Sequence, residues 1–578
     1  MKHLTLIIAF VILPTTLCFS EEKPKPPANR PVLKRDIIGL WLMGQSLCEG
    51  AESLPRVTPT DEGWGNLMFQ RGVRTWSYGK LGNKPQARPA EQFTFVPLTA
   101  TKNGGLGETI ANGMADHLKA RLPGSPKNQG RLKNEAPHFL AAYAGQGGRL
   151  IDELSSVDQS TDDRTPASRQ HGGGYYKTSL DDARRARGQA EAMGKDFGIA
   201  ALIWMQGEAN AGPTGGINPS RWGKELTRPT GQEWYRDRLI HYRKQWSRDL
   251  QKITGQTDEI PMFTYQTLSP AGEAQLMAAD LDPHITMVGP HYMVPSAVNS
   301  RYAGRYGDPI HLSADGERWF GEQVAKVVHR VLIESEKWQP LRPRKSWIAP
   351  DRTSVLVEFQ VPRPPLVLDE TFLPREQYPS GDNFQSLYGF QIRDTTRAIM
   401  VIRSIEVESP NRIRIRLASP LKADTNYNLS YGLPYAGQIG KIVGVRKGPS
   451  IADQPTTELL INGNLEQQLK PLIAEGAFYV TNMLTGDAYA RVPIRYVDEK
   501  EGTTILRFEN RERRNLTDFE TGQTLTTMRG FSYGNLRDSD PESAIYQFAD
   551  SAYGNRVGQA YPLWNWGVLF NQFPISEK

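Results

Sequence analysis

Five short, almost uninterrupted apolar runs set the strongest limit on what the first half of this chain can become: DIIGLWLM (36–43), HFLAAYAG (138–145), IAALIW (199–204), PMFTYQ (261–266) and ITMVG (285–289). Runs of this kind, apolar on both faces, are what strands buried between two layers look like. The segments between them carry the other periodicity. Leu180, Ala183, Ala186, Ala190, Met193 and Phe197 recur at three- and four-residue spacing. So do Tyr235, Leu239, Tyr242, Trp246, Leu250 and Ile253, and later Phe320, Val324, Val327 and Val331. Strands that need two covers, alternating with helices that each have one apolar face, call for an open α/β/α sheet. Residues 36–338 are therefore expected to form one α/β domain.

Beyond WQPLRPRKSWIAP (338–350) the texture changes. TSVLVEFQV, AIMVIRSIEVES, NRIRIRLAS and NYNLSYG are β-branched or alternating and are divided by turn residues, the pattern of a β-sandwich. A chain of 578 residues has room for three or four domains at ~150 residues each. The expected plan is a sandwich over 351–451, a small β module or insertion over 452–530, and a C-terminal segment, 531–578, that completes the sandwich. The aromatic stretch YPLWNWGVLFNQFPI near the end is expected to pack into a core.

The N-terminus reads MKHLTLIIAFVILPTTLCFS, with Lys2 before an apolar stretch from Leu4 to Leu13 that Pro14 stops. This is too short to span a bilayer and is laid out as a secretory signal over residues 1–20, which implies a secreted or periplasmic protein. Lipidation at Cys18 is disfavoured by Leu17 before it, where a small residue is wanted. Residues 21–35 are rich in proline and charge and read as a tether. Removing residues 1–20, which hold Lys2 and no acid, lowers the net charge from +6 to +5. That excess is small, and no basic stripe interleaved with aromatics suggests nucleic acid. Mean hydropathy is −0.51, which excludes a multi-span membrane protein. Cys48 is then the one cysteine left, so no intrachain disulfide can form.

All nine histidines lie at or before His329, so histidine acid–base chemistry is confined to the α/β half. There, Gly44-Gln45-Ser46-Leu47 follows the first strand, where the crevice of an open sheet binds ligands. A serine here is either a helix N-cap or a nucleophile. Gln146-Gly147-Gly148-Arg149 follows the second buried strand, with glycines that let a backbone N–H approach a substrate oxygen. Gln206-Gly207-Glu208 follows the third, and Gln206 could donate a side-chain hydrogen bond into the same crevice. Asp308 and His311, three apart on a turn, can share a side, one orienting the other. Asp282-Pro283-His284 reads as surface, and His291 follows a strand end with no role assigned. No HExxH, cysteine cluster or helical histidine pair suggests a metal, and no cofactor is implied.

Taken in order, Gly-Gln-Ser, Gly-Gly-x-x-Ile-Asp-Glu, Trp-x-Gln-Gly-Glu and Asp-x-x-His resemble the SGNH (GDSL-like) hydrolase superfamily. The likeness is greatest to the branch of sialate O-acetylesterases and acetylxylan esterases, over residues 36 to about 335. The resemblance implies a flavodoxin-like α/β/α domain and metal-free ester hydrolysis. Position by position, it implies Ser46 as nucleophile and first oxyanion donor, Gly148 (or Gly147) as second donor and Gln206 as third, His311 as base and Asp308 as its orienting acid. Gln45, Arg149 and Glu208 would border the substrate, with Glu208 also bracing its loop. Leu47, Arg149-Leu150 and Asn210 depart from the pattern and should reshape the pocket.

The reading that follows is a secreted carbohydrate O-acyl esterase acting on an acylated glycan or polysaccharide. The alternatives are a non-catalytic carbohydrate-binding or adhesion protein on the same fold, and a secreted lipase-type esterase, against which the lack of an apolar lid stretch counts. Since the β-rich part has no histidine, residues 36–338 alone are expected to retain activity on a small ester.

Overall fold

The computed structural model describes residues 31–75, 90–101, 106–122, 137–156, 174–212, 216–220, 223–297, 310–373, 387–395, 398–433, 435–451, 454–466, 469, 479–482, 492–493, 496–509, 519–522, 524–528, 534–549 and 555–577. The signal-like segment and Asp308 lie outside these residues.

The first half builds a seven-stranded sheet. Its strands are β1 (Ile37–Gly44), β2 (Leu67–Phe69), β3 (Phe95–Pro97), β4 (His138–Gly145), β5 (Phe197–Met205), β6 (Met262–Gln266) and β7 (Ile285–Pro290), in the order β3-β2-β4-β1-β5-β6-β7. β3 alone runs antiparallel. The five long parallel strands, numbered along the chain, stand in the order 2-1-3-4-5, the doubly wound arrangement of flavodoxin-like sheets. From β1 the chain reaches β4 on one side and then crosses to β5 on the other, and such a reversal opens a crevice at the C-terminal strand ends.

Successive residues of β1 face opposite layers. Ile38, Leu40 and Leu42 pack with α1 (Ile110–Arg121) and α6 (Ala314–Leu332). Ile37, Trp41 and Met43 pack with α3 (Gly174–Ala192), α4 (Thr230–Thr254) and α5 (Pro270–Leu281). A one-turn helix, α2 (Ile151–Leu154), follows β4. Of the residues read as one helical stripe, Met193 lies past the end of α3 and is exposed, and Phe197 opens β5. The tether also ends earlier than expected. Val32 packs in the core, and the buried Arg35 guanidinium donates to the carbonyls of Phe197 and Thr254.

Two four-stranded antiparallel sheets follow. One joins Arg342–Ile348, Ser354–Gln360, Ile402–Ser409 and Arg412–Leu417; the other joins Phe390–Asp394, Ile399–Met400, Tyr427–Tyr431 and the last strand, Phe570–Ile575. Their inner residues, among them Val355, Val357, Phe390, Ile413, Leu429 and Tyr431, share one core. A separate seven-stranded sheet is drawn from residues 435–528 and begins with the long strand Tyr435–Ile451, so the β module starts before residue 452.

The segment between that module and the final strand does more than return to the sandwich. Phe548, Tyr561, Leu563 and Trp566 enter the same core as α1 and α6. Trp319 in α6 donates through Nε1 to Pro562 O (2.8 Å) and stacks on Tyr561. Lys326 is fully buried and donates to Asn565 Oδ1 (2.7 Å) and Asp540 Oδ2 (3.2 Å). The C-terminal segment is thus a structural part of the α/β domain.

Candidate active site

The parallel register assembles the site. Gly44 of β1 stands opposite Gly145 of β4 and Met205 of β5. The residues after these three strands therefore leave the sheet side by side: Gln45-Ser46, Gln146 to Arg149, and Gln206 to Glu208. Gly44 is required by close approach, since a Cβ there would lie 2.1 Å from Met205 O. The Gln45 N–H donates to Met205 O (2.9 Å), and the chain then turns sharply, Ala51 N–H reaching back to Ser46 O (3.0 Å). Ser46 is partly exposed between the buried Gln45 and Leu47. Leu47 belongs to the core beneath.

The backbone of Gly147 lies against the loop that carries Ser46. A Cβ there would sit 3.4 Å from Ser46 Cβ and 2.8 Å from Glu49 Oε1. Its N–H donates to Glu49 Oε1 (3.0 Å). Gly148 has φ +68°, a conformation that favours glycine, and a Cβ on it would meet open space. Arg149 is braced by Gln146 Oε1 (3.0 and 3.2 Å) and by Glu153 (3.5 Å), and Tyr175 OH donates to the same Gln146 oxygen.

Gln206 and Gln45 are engaged with neighbouring loops. Gln206 is fully buried. Its two amide hydrogens are directed at Asn210 Oδ1 (2.7 Å), Arg149 O (3.0 Å) and Gln45 Oε1 (3.3 Å), and its Oε1 accepts from Tyr235 OH (2.7 Å). The amide ties the loop after β5 to the backbone beside Gly148. Gln45 Oε1 also accepts from Ala209 N–H (3.1 Å), so this side chain fastens the loops after β1 and β5. Asn210, where the family pattern has aspartate, accepts from Ile151 N–H (3.0 Å) at the start of α2 and donates to Asn218 O (2.8 Å).

Glu208 accepts through Oε1 from the hydroxyls of Tyr265 and Thr267, and its Oε2 is buried without a partner. Burial pushes its carboxyl above the usual range; the two hydroxyls and the nearby charge of His311 pull it back. That electrostatic contact puts His311 at the same end of the sheet. His311 is buried, and its chain segment is pinned by Ala297 N–H to His311 O (2.9 Å) and Ser313 N–H to Pro295 O (2.9 Å). Ser313 then caps α6, accepting from Gly316 N–H.

The other histidines separate cleanly. His291 is buried against Tyr265 and Phe320, and desolvation lowers its pKa to about 4, so it is a neutral core residue. His284 pairs with Glu259 (3.0 Å) at the surface. His117, unremarked in the sequence, is buried between Glu322 (2.8 Å) and Glu542 (3.2 Å). Cys48 is buried and its thiol is pushed up by desolvation, the reverse of nucleophile activation. Among the described residues, no group of three or more His, Cys, Asp or Glu side chains could hold a metal ion, and no helix is long and apolar enough to cross a membrane.

No protein-family model matches the chain, and no curated protein matches it. Among solved structures, it is similar to a carbohydrate acetylesterase from Xanthomonas citri, with a TM-score of 0.41 and 17% identity over 69% of this chain and 75% of that one. It is also similar to NanS, with a TM-score of 0.33 and 15% identity over 52% of this chain and 99% of that one.

Proposed function

We propose that this protein is an exported serine esterase that removes O-acyl groups, acetyl foremost, from a glycan or polysaccharide. The observation that carries the reading is the register of Gly44 with Gly145 and Met205, which brings a partly exposed serine beside an open glycine turn. Ser46 Oγ attacks the ester carbonyl as His311 takes its proton. The N–H groups of Ser46 and Gly148 receive the charge that develops on the carbonyl oxygen. His311 returns the proton to the sugar oxygen as it leaves, and an acyl group remains on Ser46. Water, deprotonated by His311, then releases acetate. Asp308 orients His311, and Arg149 borders the acyl site. Acetate release from a panel of acetylated polysaccharides tests the reading and names the sugar; no release from any of them, or from a small acetyl ester, would refute it.

Gln206 gives a sharper check. A side chain that bonds several groups while fully buried cannot be removed without loosening them. Gln206→Ala is expected to lower kcat by roughly 10²-fold or more and to lower Tm as well, because it acts through the loops. A fall in kcat with unchanged Tm would restore it to direct donation.

The two candidate acids are separated by isosteric amides. Glu208→Gln keeps an acceptor for Tyr265 and Thr267 and is expected to cost less than about tenfold in kcat. Asp308→Asn is expected to cost on the order of 10³- to 10⁴-fold, since an amide favours the wrong imidazole tautomer. The reverse ranking would make Glu208 the orienting acid.

A further inference from the structure

One side chain of α1 is held by acids from two distant parts of the chain. His117 is fully buried. Its Nδ1 lies 2.8 Å from Glu322 Oε2 on α6, 205 residues away in sequence. Its Nε2 lies 3.2 Å from Glu542 Oε1 in the C-terminal segment, 425 residues away. One imidazole thus joins α1, α6 and the segment that returns from the end of the chain.

A neutral imidazole donates from one nitrogen and accepts at the other, whereas an imidazolium donates from both. Which form the ring takes depends on the two acids. Glu322 accepts the Ile545 N–H on Oε2 (2.6 Å) and the Tyr546 N–H on Oε1 (3.0 Å). Glu542 pairs through Oε1 with Arg121 (3.1 Å) and through Oε2 with Arg330 (2.8 Å). N–H donors on both oxygens of an acid favour its charged form. Each ring nitrogen therefore faces a carboxylate, and a neutral ring would turn a lone pair toward one of them.

We propose that His117 is a buried imidazolium that latches the C-terminal segment onto α1 and α6, and that the latch weakens as pH rises. The inference stands apart from the esterase reading, which gives His117 no step. The charged groups around the ring come from each element packed there. On α1, Asp116 accepts from Asn66 Nδ2 (2.7 Å) and Tyr546 OH (2.5 Å), and Arg121 reaches Glu542. On α6, Lys326 and Arg330 face Asp540 (3.2 and 2.8 Å). The C-terminal segment adds Asp538, which acts on Lys326, and Glu62 acts on Asp116.

Burial alone would lower the His117 pKa, but the hydrogen bonds and charges of Glu322 and Glu542 together raise it above its ordinary value. The docked ring then keeps a proton that the ring of an opened segment has lost. Its contribution is complete below the ordinary value of ~6.5 and is lost as pH rises from there through the folded value. Burial also raises the Asp116 carboxyl to about 7, so a second group titrates nearby and the test must separate the two.

The test uses the full chain labelled with ¹⁵N-histidine, with the ring nitrogens read by NMR at about pH 7.5. His117→Gln identifies the resonances. Two protonated nitrogens are expected at residue 117, where a ring of ordinary pKa is mostly neutral; one protonated and one bare nitrogen would overturn the imidazolium. Hydrogen exchange of the peptide over residues 540–549, corrected for intrinsic rates, is then compared at about pH 6 and about pH 9. Protection in wild type is expected to fall at least ~threefold further than in His117→Gln, in which Asp116 still titrates. Equal falls would overturn the latch. Glu542→Gln covers the case in which His117→Gln does not fold, since it keeps the ring and removes the charge facing Nε2. One buried histidine ring should then titrate at lower pH than in wild type. If no ring titration moved, the proposal would be overturned.

Discussion

Replacing Ser46 with alanine lowers kcat/KM for a small acetyl ester by roughly 10⁴-fold or more, the scale seen when a nucleophile is removed and only binding and oxyanion donors remain. The fold should survive unchanged. Ser46 is partly exposed, and the turn around it is held by its backbone, by Gln45 and by the buried Leu47, none of which depends on the hydroxyl. Tm within a degree or so of wild type is therefore expected alongside the lost activity. Variants that lose both would say only that the turn had collapsed.

The second large effect is on folding. A chain ending near Trp338 should fail to fold, contrary to what the absence of histidines beyond His329 suggests. The proposed general base, His311, lies in the first half, but the core of that half is completed from the end of the chain. Without residues 534–577, Lys326 loses Asp540 and Asn565, and Arg330 loses Asp540 (2.8 Å) and Glu542 (2.8 Å). Glu322 loses the N–H groups of Ile545 (2.6 Å) and Tyr546 (3.0 Å). At the sheet end, Gln266 loses its paired bonds to Leu569 (2.7 and 2.8 Å). Breaking one buried ion pair costs about 3–5 kcal/mol, against a typical total of about 5–15. Asp540→Ala in the full chain, which strips Lys326 and Arg330 at once, should therefore lower Tm sharply and reduce soluble yield. A folded, active fragment ending at Trp338 would contradict this.

These two expectations show what could be read from the chain and what could not. The five buried strands announced themselves because a strand covered on both faces is apolar throughout. α3, α4 and α6 did so because each keeps an apolar stripe. α1 gave no such signal: IANGMADHLKAR buries Asn112, Asp116, His117 and Lys119. It packs against α6 and the C-terminal segment, where His117 and Glu322 are ionic partners. α5 is too rich in alanine to show a face. YPLWNWGVLFNQFPI was legible as core, but its first part packs on α6 and its last part pairs with Tyr427–Tyr431, a division no local pattern contains.

At the site, Ser46, the Gly147-Gly148 turn and the Gln206-Gly207-Glu208 segment stood out because each follows a readable strand. Their division of labour did not. Whether a buried amide faces substrate or a neighbouring loop depends on register and on partners distant in sequence, such as Tyr235 for Gln206 and Tyr265 for Glu208.

The most direct test of the central claim is covalent. A serine made nucleophilic by a neighbouring base reacts with a fluorophosphonate, while an N-cap serine does not. Intact-mass and peptide mass spectrometry after such treatment should show one adduct, on the peptide holding Gly44-Gln45-Ser46. It should be absent from Ser46→Ala and strongly slowed in His311→Ala. An adduct on another residue, or none on an enzyme that still releases acetate, would contradict the assignment of Ser46 as the nucleophile.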